Sequence, residues 1–362
     1  MGIKITRGKA FPIGVDLAGD VLRMAQLKQG EESMELLSAG SEALPPSVHH
    51  GERAGMDAIA SSIRSIMRRA SFRGRRAVLC IPSGDSFIHH VKTPKLPADS
   101  ISQAVNAELA GKLPYPVEEA VIRHVVVGDV LAEGDTRQEV IAISARRKVV
   151  EDYLDMAARA RLDVVGINIV PCAILECYAR LFRWTDDLGR TILFLDVGPD
   201  ATQVIVSHGC KLAFARCLST GSMKFDDALA QGLSVPVEQA RNLRRGAEPA
   251  GSAREVVTAQ LDSFLDSPVR ALADEVTQCL RYCETVFRTQ GAERVIFVGQ
   301  EAYDKRLCQM IAQRLNMRAQ IGDPLMRIRR VAGAGLEQGL DRREPQPDWS
   351  VSIGLSIGAQ AA

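Results

Sequence analysis

Two stretches decide the fold: Ile13–Leu27, IGVDLAGDVLRMAQL, and Leu193–Val206, LFLDVGPDATQVIV. In the first, the apolar run Ile13 to Asp16 ends in an acid, Leu17-Ala18-Gly19-Asp20 turns, and Val21 to Leu27 resumes an extended pattern. Lys28 to Glu32 turns again and Met34 to Leu37 supplies a third strand, so the spacing predicts a three-strand meander. In the second, Ile192 to Asp196, the turn Val197-Gly198-Pro199-Asp200, Thr202 to Ser207, the turn His208-Gly209 and Lys211 to Cys217 repeat that layout. Asp16 and Asp196 stand 180 residues apart, close to half of the 362-residue chain. A repeat outranks any single local assignment, and this one predicts a duplicated α/β core with a cleft between its halves.

Working outward, Gly55 to Arg69 places Met56, Ile59, Ile63, Ile66 and Met67 at helical spacing and leads through Arg73-Gly74-Arg75-Arg76 into a buried strand, Ala77 to Ile81. Lys92 to Asp99 is proline-rich and Ser100 to Leu113 reads as a helix. Leu113-Pro114-Tyr115-Pro116 breaks it before strands at Val121 to Val127 and Gln138 to Ser144, a small inserted α+β subdomain. Arg147 to Leu162 is a helix, Val164 to Ile169 a strand, and Pro171 to Arg183 a helix opened by proline. In the second half, Lys224 to Gln231 and Val237 to Arg244 are short helices, and Ala253 to Thr289 is a helical tract with a break or fresh start at Pro268. Arg294 to Val298 is a buried strand, Lys305 to Leu315 a helix, Asp341 to Asp348 a charged linker, and Val351 to Gln360 an apolar helix expected to pack back on the first half. The expected division is 1–185 with 350–362 as the first half (insertion at about 92–146), 186–340 as the second, and 341–349 as a linker.

A length of 362 residues corresponds to roughly two or three domains. The formal net charge of +1 gives no whole-chain field toward nucleic acid or an anionic membrane, and 46% hydrophobic with 25% charged residues excludes disorder as the main state. No apolar run reaches the roughly 18 residues of a membrane span, and Met1 to Ala10 is not followed by a signal-length apolar stretch, so a cytosolic location without membrane insertion is expected. The eight cysteines form no Cys-x-x-Cys pair and read as reduced, buried, small hydrophobes. For Cys279 and Cys283, four apart on a helix, core packing is preferred over a two-thiolate metal site. Cys80 reads as a buried strand end, and the pairs His49-His50 and His89-His90 as surface or linker residues. Arg64, Arg68, Arg69, Arg73, Arg75 and Arg76 form the most basic stretch; with only Phe72 as an aromatic, a solvated helix face and turn is preferred over a nucleic-acid footprint.

An acid ending a strand, followed by a glycine-bearing turn into an antiparallel strand, forms a hairpin whose backbone N–H groups cradle phosphates while the acid positions a hydrated metal ion. The alternative for Asp16 and Asp196 is that each braces its turn by local hydrogen bonding. Five stretches carry a family likeness: Ile13 to Leu27; Leu96 to Val121 (LPADSISQAVNAELAGKLPYPVEEAV, with Gln103 and Glu108); Leu193 to Val206; Ser219 to Gly246 (STGSMKFDDALAQGLSVPVEQARNLRRG); and Arg294 to Val298 with the helix after it. In this order they resemble the PilM family of type IV pilus assembly proteins and, more distantly, FtsA and the cytoplasmic part of GspL.

The resemblance implies a duplicated actin-like ATPase fold, α/β, with two halves of βββαβα type and a small insertion in the first. It implies ATP with magnesium as the cofactor, and as partner the cytoplasmic tail of a PilN-like inner-membrane protein, alongside other pilus or secretion assembly proteins and self-association. The protein would then sit in the cytoplasm, peripheral at the inner membrane through that partner. Carried over by position, Asp16 and Gly19 fall in the first phosphate hairpin, Asp196, Gly198 and Thr202 in the second, and Gly299 at the base-contacting strand end. The chain departs from the family pattern at Ala18 and Asp20, at Pro199 and Asp200, and at Gln300 and Glu301, whose side chains are expected to project toward the nucleotide. Val170 before Pro171 leaves no evident activator for water, so no catalytic residue is assigned. These departures predict a scaffold with weak or lost nucleotide binding. The alternatives are an active ATPase whose nucleotide state controls assembly, and an FtsA-like division anchor, disfavoured because no basic amphipathic helix closes the sequence.

Overall fold

A computed structural model describes residues 9–17, 19–31, 33–45, 53–132, 134–179, 189–246, 253–287, 291–330 and 337–358. The readings made at Ala18, His49-His50, the end of the Pro171 helix, Thr289 and Gln360 lie wholly or partly outside these residues. In chain order the elements are β1 (Ile13–Asp16), β2 (Val21–Gln29), β3 (Met34–Ala43), α1 (Arg53–Arg69), β4 (Arg76–Ile81), β5 (Ser86–Pro94), α2 (Ala98–Leu109), β6 (Ala120–Ala132) and β7 (Asp135–Arg146). There follow α3 (Arg147–Arg159), β8 (Asp163–Ile169), α4 (Val170–Ala179), β9 (Thr191–Val197), β10 (Thr202–His208), β11 (Lys211–Leu218), α5 (Ser222–Leu233) and α6 (Val237–Gly246). The last are α7 (Ala253–Phe287), β12 (Arg294–Val298), α8 (Lys305–Arg314), β13 (Arg318–Ile321), β14 (Arg329–Arg330) and α9 (Ser350–Gly358). The chain divides into two units, Met1–Arg183 with Asp323–Ala362, and Trp184–Gly322.

The duplication is present as sheet topology. The first unit's sheet has the order β14-β3-β2-β1-β4-β8 and the second unit's β11-β10-β9-β12-β13. In each, a central strand (β1, β9) pairs antiparallel with the strand after it and parallel with the strand reached through a crossover (β4, β12). The central strands are buried along almost their whole length, as strands covered on both faces must be.

In the first unit, Ile13 and Val15 face a core shared with Ile59 and Ile63 of α1 and with Tyr153 and Met156 of α3. The opposite face of β1 carries Gly14, and it must be glycine: a Cβ there would sit 1.9 Å from the Ser352 carbonyl oxygen of α9. α9 in turn lies against α4 through Gly354, whose Cβ would meet the Ala173 carbonyl oxygen at 1.8 Å. Its serines are buried but bonded: Ser356 Oγ donates to the Pro12 carbonyl (2.8 Å) and accepts from the Leu27 N–H (3.1 Å), beside the bulge between Gln26 and Leu27. α9 therefore packs on the first unit, as its apolar sequence predicts.

An insertion carries a three-stranded sheet, β5-β7-β6, with α2 on one face through Ile101, Val105 and Leu109. β5 is not readable as a strand from its sequence, because His89-His90 interrupts the alternation. The structure corrects the reading of these histidines as surface or linker residues: both lie half-buried in β5, and His90 Nδ1 is 2.9 Å from the fully buried Glu139.

Three further readings change. α7 runs unbroken through Pro268, because Leu261, Leu265, Val269, Leu272, Val276, Cys279 and Cys283 form one buried stripe along it and their packing outweighs the roughly 3 kcal/mol that an interior proline costs. Residues 323–340, grouped by sequence with the second half, fall in the first unit, and β14 extends its sheet by pairing with β3. Between α9 and the preceding turn the chain is packed where a linker was expected: Gln346, Pro347 and Trp349 are buried, and Asp348 pairs with Arg23 at 2.6 Å.

Candidate functional site

In the second unit, Asp196, Gly198, Thr202 and Gly299 come together at one edge of the sheet, where β9 and β12 end and β10 begins. Val298 is in register with Asp196, which sets Gly299 beside the acid. Gly299 has φ +76, and a Cβ there would lie 2.0 Å from Asp196 Oδ1, so both the backbone conformation and the approach of the carboxylate require glycine. The Gly198 N–H donates to the Ala201 carbonyl (2.9 Å) and closes the turn before Thr202.

A second loop, Thr220-Gly221, lies on this hairpin. Gly221 leaves no room for a side chain, since its Cβ would be 2.2 Å from the Pro199 carbonyl oxygen. The first N–H groups of α5, on Ser222 and Met223, donate to the Gly198 and Pro199 carbonyls at 2.8 and 3.0 Å. Thr202 Oγ1 donates to the Thr220 carbonyl at 2.6 Å. A helix N-terminus and a hydroxyl that are suited to an anion are thus engaged by the protein itself. Thr220 Oγ1 donates to Glu275 and accepts from Lys224 Nζ, each at 3.1 Å. The sequence carries this loop in STGSMK, but nothing local announces its contact with the hairpin.

Glu301 is where the sequence reading fails. Its side chain does not project toward the Asp196 edge; the turn Gln300–Tyr303 carries it inward, 4% exposed, onto α6. Arg244 gathers three carboxylates: Asp226 (2.8 Å), Glu301 (2.7 Å) and Asp304 (3.0 Å). Arg241 also pairs with Asp226 at 2.9 Å, and Arg245 with Glu301. A buried carboxylate needs such partners, which is why Glu301 turns away from the open edge. Burial alone would push the Glu301 carboxyl up, yet Arg244 and Arg245 outweigh it and hold it below the usual range. Burial dominates at Asp304 and raises it, offset only in part by the Leu307 N–H and Arg244. Of the three acidic departures from the family pattern, Asp20, Asp200 and Glu301, the first two remain exposed.

In the first unit, Asp16 ends β1 at 3% exposure, in register with Arg23. Gly19 has φ +104 and supplies the left-handed step of the turn, with open space where a side chain would be. The exposed Asp20 accepts through its carbonyl from the Leu44 N–H at 2.7 Å. Cys279 and Cys283 pack in the second unit's core and Cys80 is a buried strand end, whereas Cys217 departs from the reading by being exposed, and Cys172 and Cys210 by being half-buried. Among the described residues no cluster of three or more His, Cys, Asp or Glu could hold a metal ion, and no helix is long and apolar enough to cross a membrane.

A family model described as type IV pilus assembly protein PilM matches residues 14–359. Among solved structures, the chain is similar to the PilM-PilN type IV pilus biogenesis complex, with 20% identity and a TM-score of 0.77 over 96% of this chain and 98% of that one. It is also similar to ethanolamine utilization protein EutJ from Carboxydothermus hydrogenoformans, with 14% identity and a TM-score of 0.54 over 96% and 89%. A diol dehydratase-reactivating factor in nucleotide-free form aligns at 11% identity and a TM-score of 0.54 over 97% and 100%. No curated protein matches the chain in sequence. At these identities the structures establish the actin-like fold, and the family match over nearly the whole length establishes membership. The chain belongs to the PilM family of type IV pilus assembly proteins.

Proposed function

We propose that the chain is an adaptor of a type IV pilus or related secretion machine, docking the short cytoplasmic tail of a PilN-like inner-membrane protein, with nucleotide binding weak or lost. It would act in the cytoplasm, peripheral at the inner membrane through that partner, and meet other assembly proteins of the machine there. The docking reading rests on family membership and on the likeness to a PilM-PilN complex. The observation that carries the second part is the α5 N-terminus: its Ser222 and Met223 N–H groups are bonded to hairpin carbonyls, and Thr202 Oγ1 to the Thr220 carbonyl. Phosphates arriving there would meet occupied donors, a proline without an N–H, and the exposed Asp200 carboxylate. On this reading Asp16, Gly19, Asp196, Gly198 and Gly299 shape turns and do not hold ATP and magnesium.

Calorimetric titration of the purified chain with a synthetic tail peptide, with and without Mg-ATP, tests both parts. The expected result is saturable peptide binding unchanged by ATP, and no micromolar ATP heat. Absence of peptide binding overturns the adaptor reading; micromolar ATP binding with hydrolysis abolished by Asp16→Ala replaces it with an ATPase.

A further inference from the structure

The net charge of +1 conceals a segregation of charge that only the folded chain creates. Arg64 and Arg68 lie one turn apart on α1; Arg73, Arg75 and Arg76 line the turn into β4; Arg159 and Arg161 end α3 and begin the next turn. Tertiary contacts draw these three segments together. Arg64 donates to the Arg159 carbonyl at 2.9 Å and Arg75 to the Arg161 carbonyl at 3.1 Å, bonds that span 95 and 86 residues of sequence. The Asp163 N–H donates to the Arg75 carbonyl at 2.8 Å, which fixes the turn against the start of β8.

All seven arginines are exposed except Arg64, which is half-buried. Among the described residues, the carboxylates beside them are Asp57, paired with Arg159 at 2.7 Å, Asp155 one turn before Arg159, and Asp163 in register with Arg76. Seven cations against three anions leave a strongly positive surface. It sits where the parallel strands β4 and β8 begin, the end of the sheet opposite to Asp16, so it is separate from the hairpin already described. Phe72, the aromatic residue of the stretch, packs against the first unit's core, which leaves no ring from this stretch for a base to stack on.

We propose that this arginine surface docks on the phosphates of an anionic phospholipid bilayer. Guanidinium forks match phosphate oxygens in pairs, and the charge is spread over two helix ends and a turn, which suits many headgroups at once more than a single bound anion. The first unit would then face the membrane with this edge, giving the adaptor a contact of its own beside its protein partner. The assay below contains no partner, so its outcome is separable from that of the tail-docking reading.

The full chain is floated with vesicles of phosphatidylglycerol and phosphatidylcholine, or phosphatidylcholine alone. Binding is expected only with phosphatidylglycerol and is expected to vanish near 0.5 M salt, where the screening length falls to roughly 4 Å. Arg68→Glu with Arg73→Glu and Arg76→Glu should weaken partitioning at least about tenfold. The charge-matched control, Arg281→Glu with Lys305→Glu and Arg318→Glu on exposed positions of the second unit, should stay within about twofold of the parent. If the first triple variant does not melt cooperatively, Arg68→Gln with Arg76→Gln decides, with an expected weakening of at least about fivefold. The proposal is overturned if the parent chain does not float with phosphatidylglycerol, if both triple variants lose binding equally, or if duplex DNA displaces the vesicles at equal phosphate concentration.

Discussion

Replacing Arg244 with methionine removes the cation on which Asp226, Glu301 and Asp304 converge, at 2.7 to 3.0 Å and with the Arg244 side chain 1% exposed. One such pair attracts by about 4 kcal/mol at an effective dielectric constant near 20, so three give an upper bound of about 12. The loss is smaller, because Arg241 remains on Asp226 and Arg245 on Glu301, and because the variant no longer desolvates a guanidinium. Asp304 is the carboxylate left with only the Leu307 N–H (2.9 Å) of the bonds it makes here. The cost is therefore about 3–5 kcal/mol, the range for breaking one side of a buried ion pair, out of the 5–15 kcal/mol typical of a domain.

The pH dependence has a definite sign. Asp304 is already raised by burial, and losing Arg244 raises it further. A carboxyl with a raised folded pKa favours the native state most at low pH and loses that contribution as pH rises through the folded value. The destabilisation should thus be smaller at pH 5.0 than at pH 7.5. Glu301 also loses Arg244 in the variant and keeps only Arg245 against its burial, so its carboxyl moves up as well and adds to the pH dependence with the same sign. Hydrogen exchange in peptides of α5, α6 and α8 reads this locally, without the first unit's contribution. A loss under about 1 kcal/mol at pH 7.5, or an equal loss at both pH values, refutes the reasoning.

Gly299→Ala forces a side chain into a positive-φ site and onto Asp196, so a loss of about 1–3 kcal/mol is expected; a melting temperature within about one degree of the parent contradicts it. Native alkylation at about pH 8.5 should modify the exposed Cys217 well before Cys172, whose thiol is pushed up to about 12 by burial and by Glu176; equal rates, read by mass spectrometry, would count against this environment.

The two meanders were legible because strands of four to seven residues bounded by Gly, Pro and Asp announce themselves locally, and because the same order recurs after 180 residues. β5 was illegible because its stability comes from pairing with β7 and from the contact of His90 with the buried Glu139, not from its own alternation. Pro268 misled for the converse reason: a local breaker was outweighed by a stripe packed along the whole of α7. At the candidate site, the positions of Asp196, Gly198, Thr202 and Gly299 on one sheet edge follow from strand order, whereas the Thr220-Gly221 loop lying over the hairpin does not.

By itself the sequence determined the α/β duplication and the insertion, which follow from periodicity and element order, while its apolar last helix pointed to the first unit and five motif stretches carried the likeness to the family. Only the tertiary structure decided where charge resides. Glu301 turns inward because Arg244, 57 residues earlier in sequence, neutralises it. Three arginine segments form one surface because guanidinium-to-carbonyl bonds close over 86 and 95 residues. Electrostatic energy depends on distance in space and on burial, and neither quantity is encoded by neighbours in the chain.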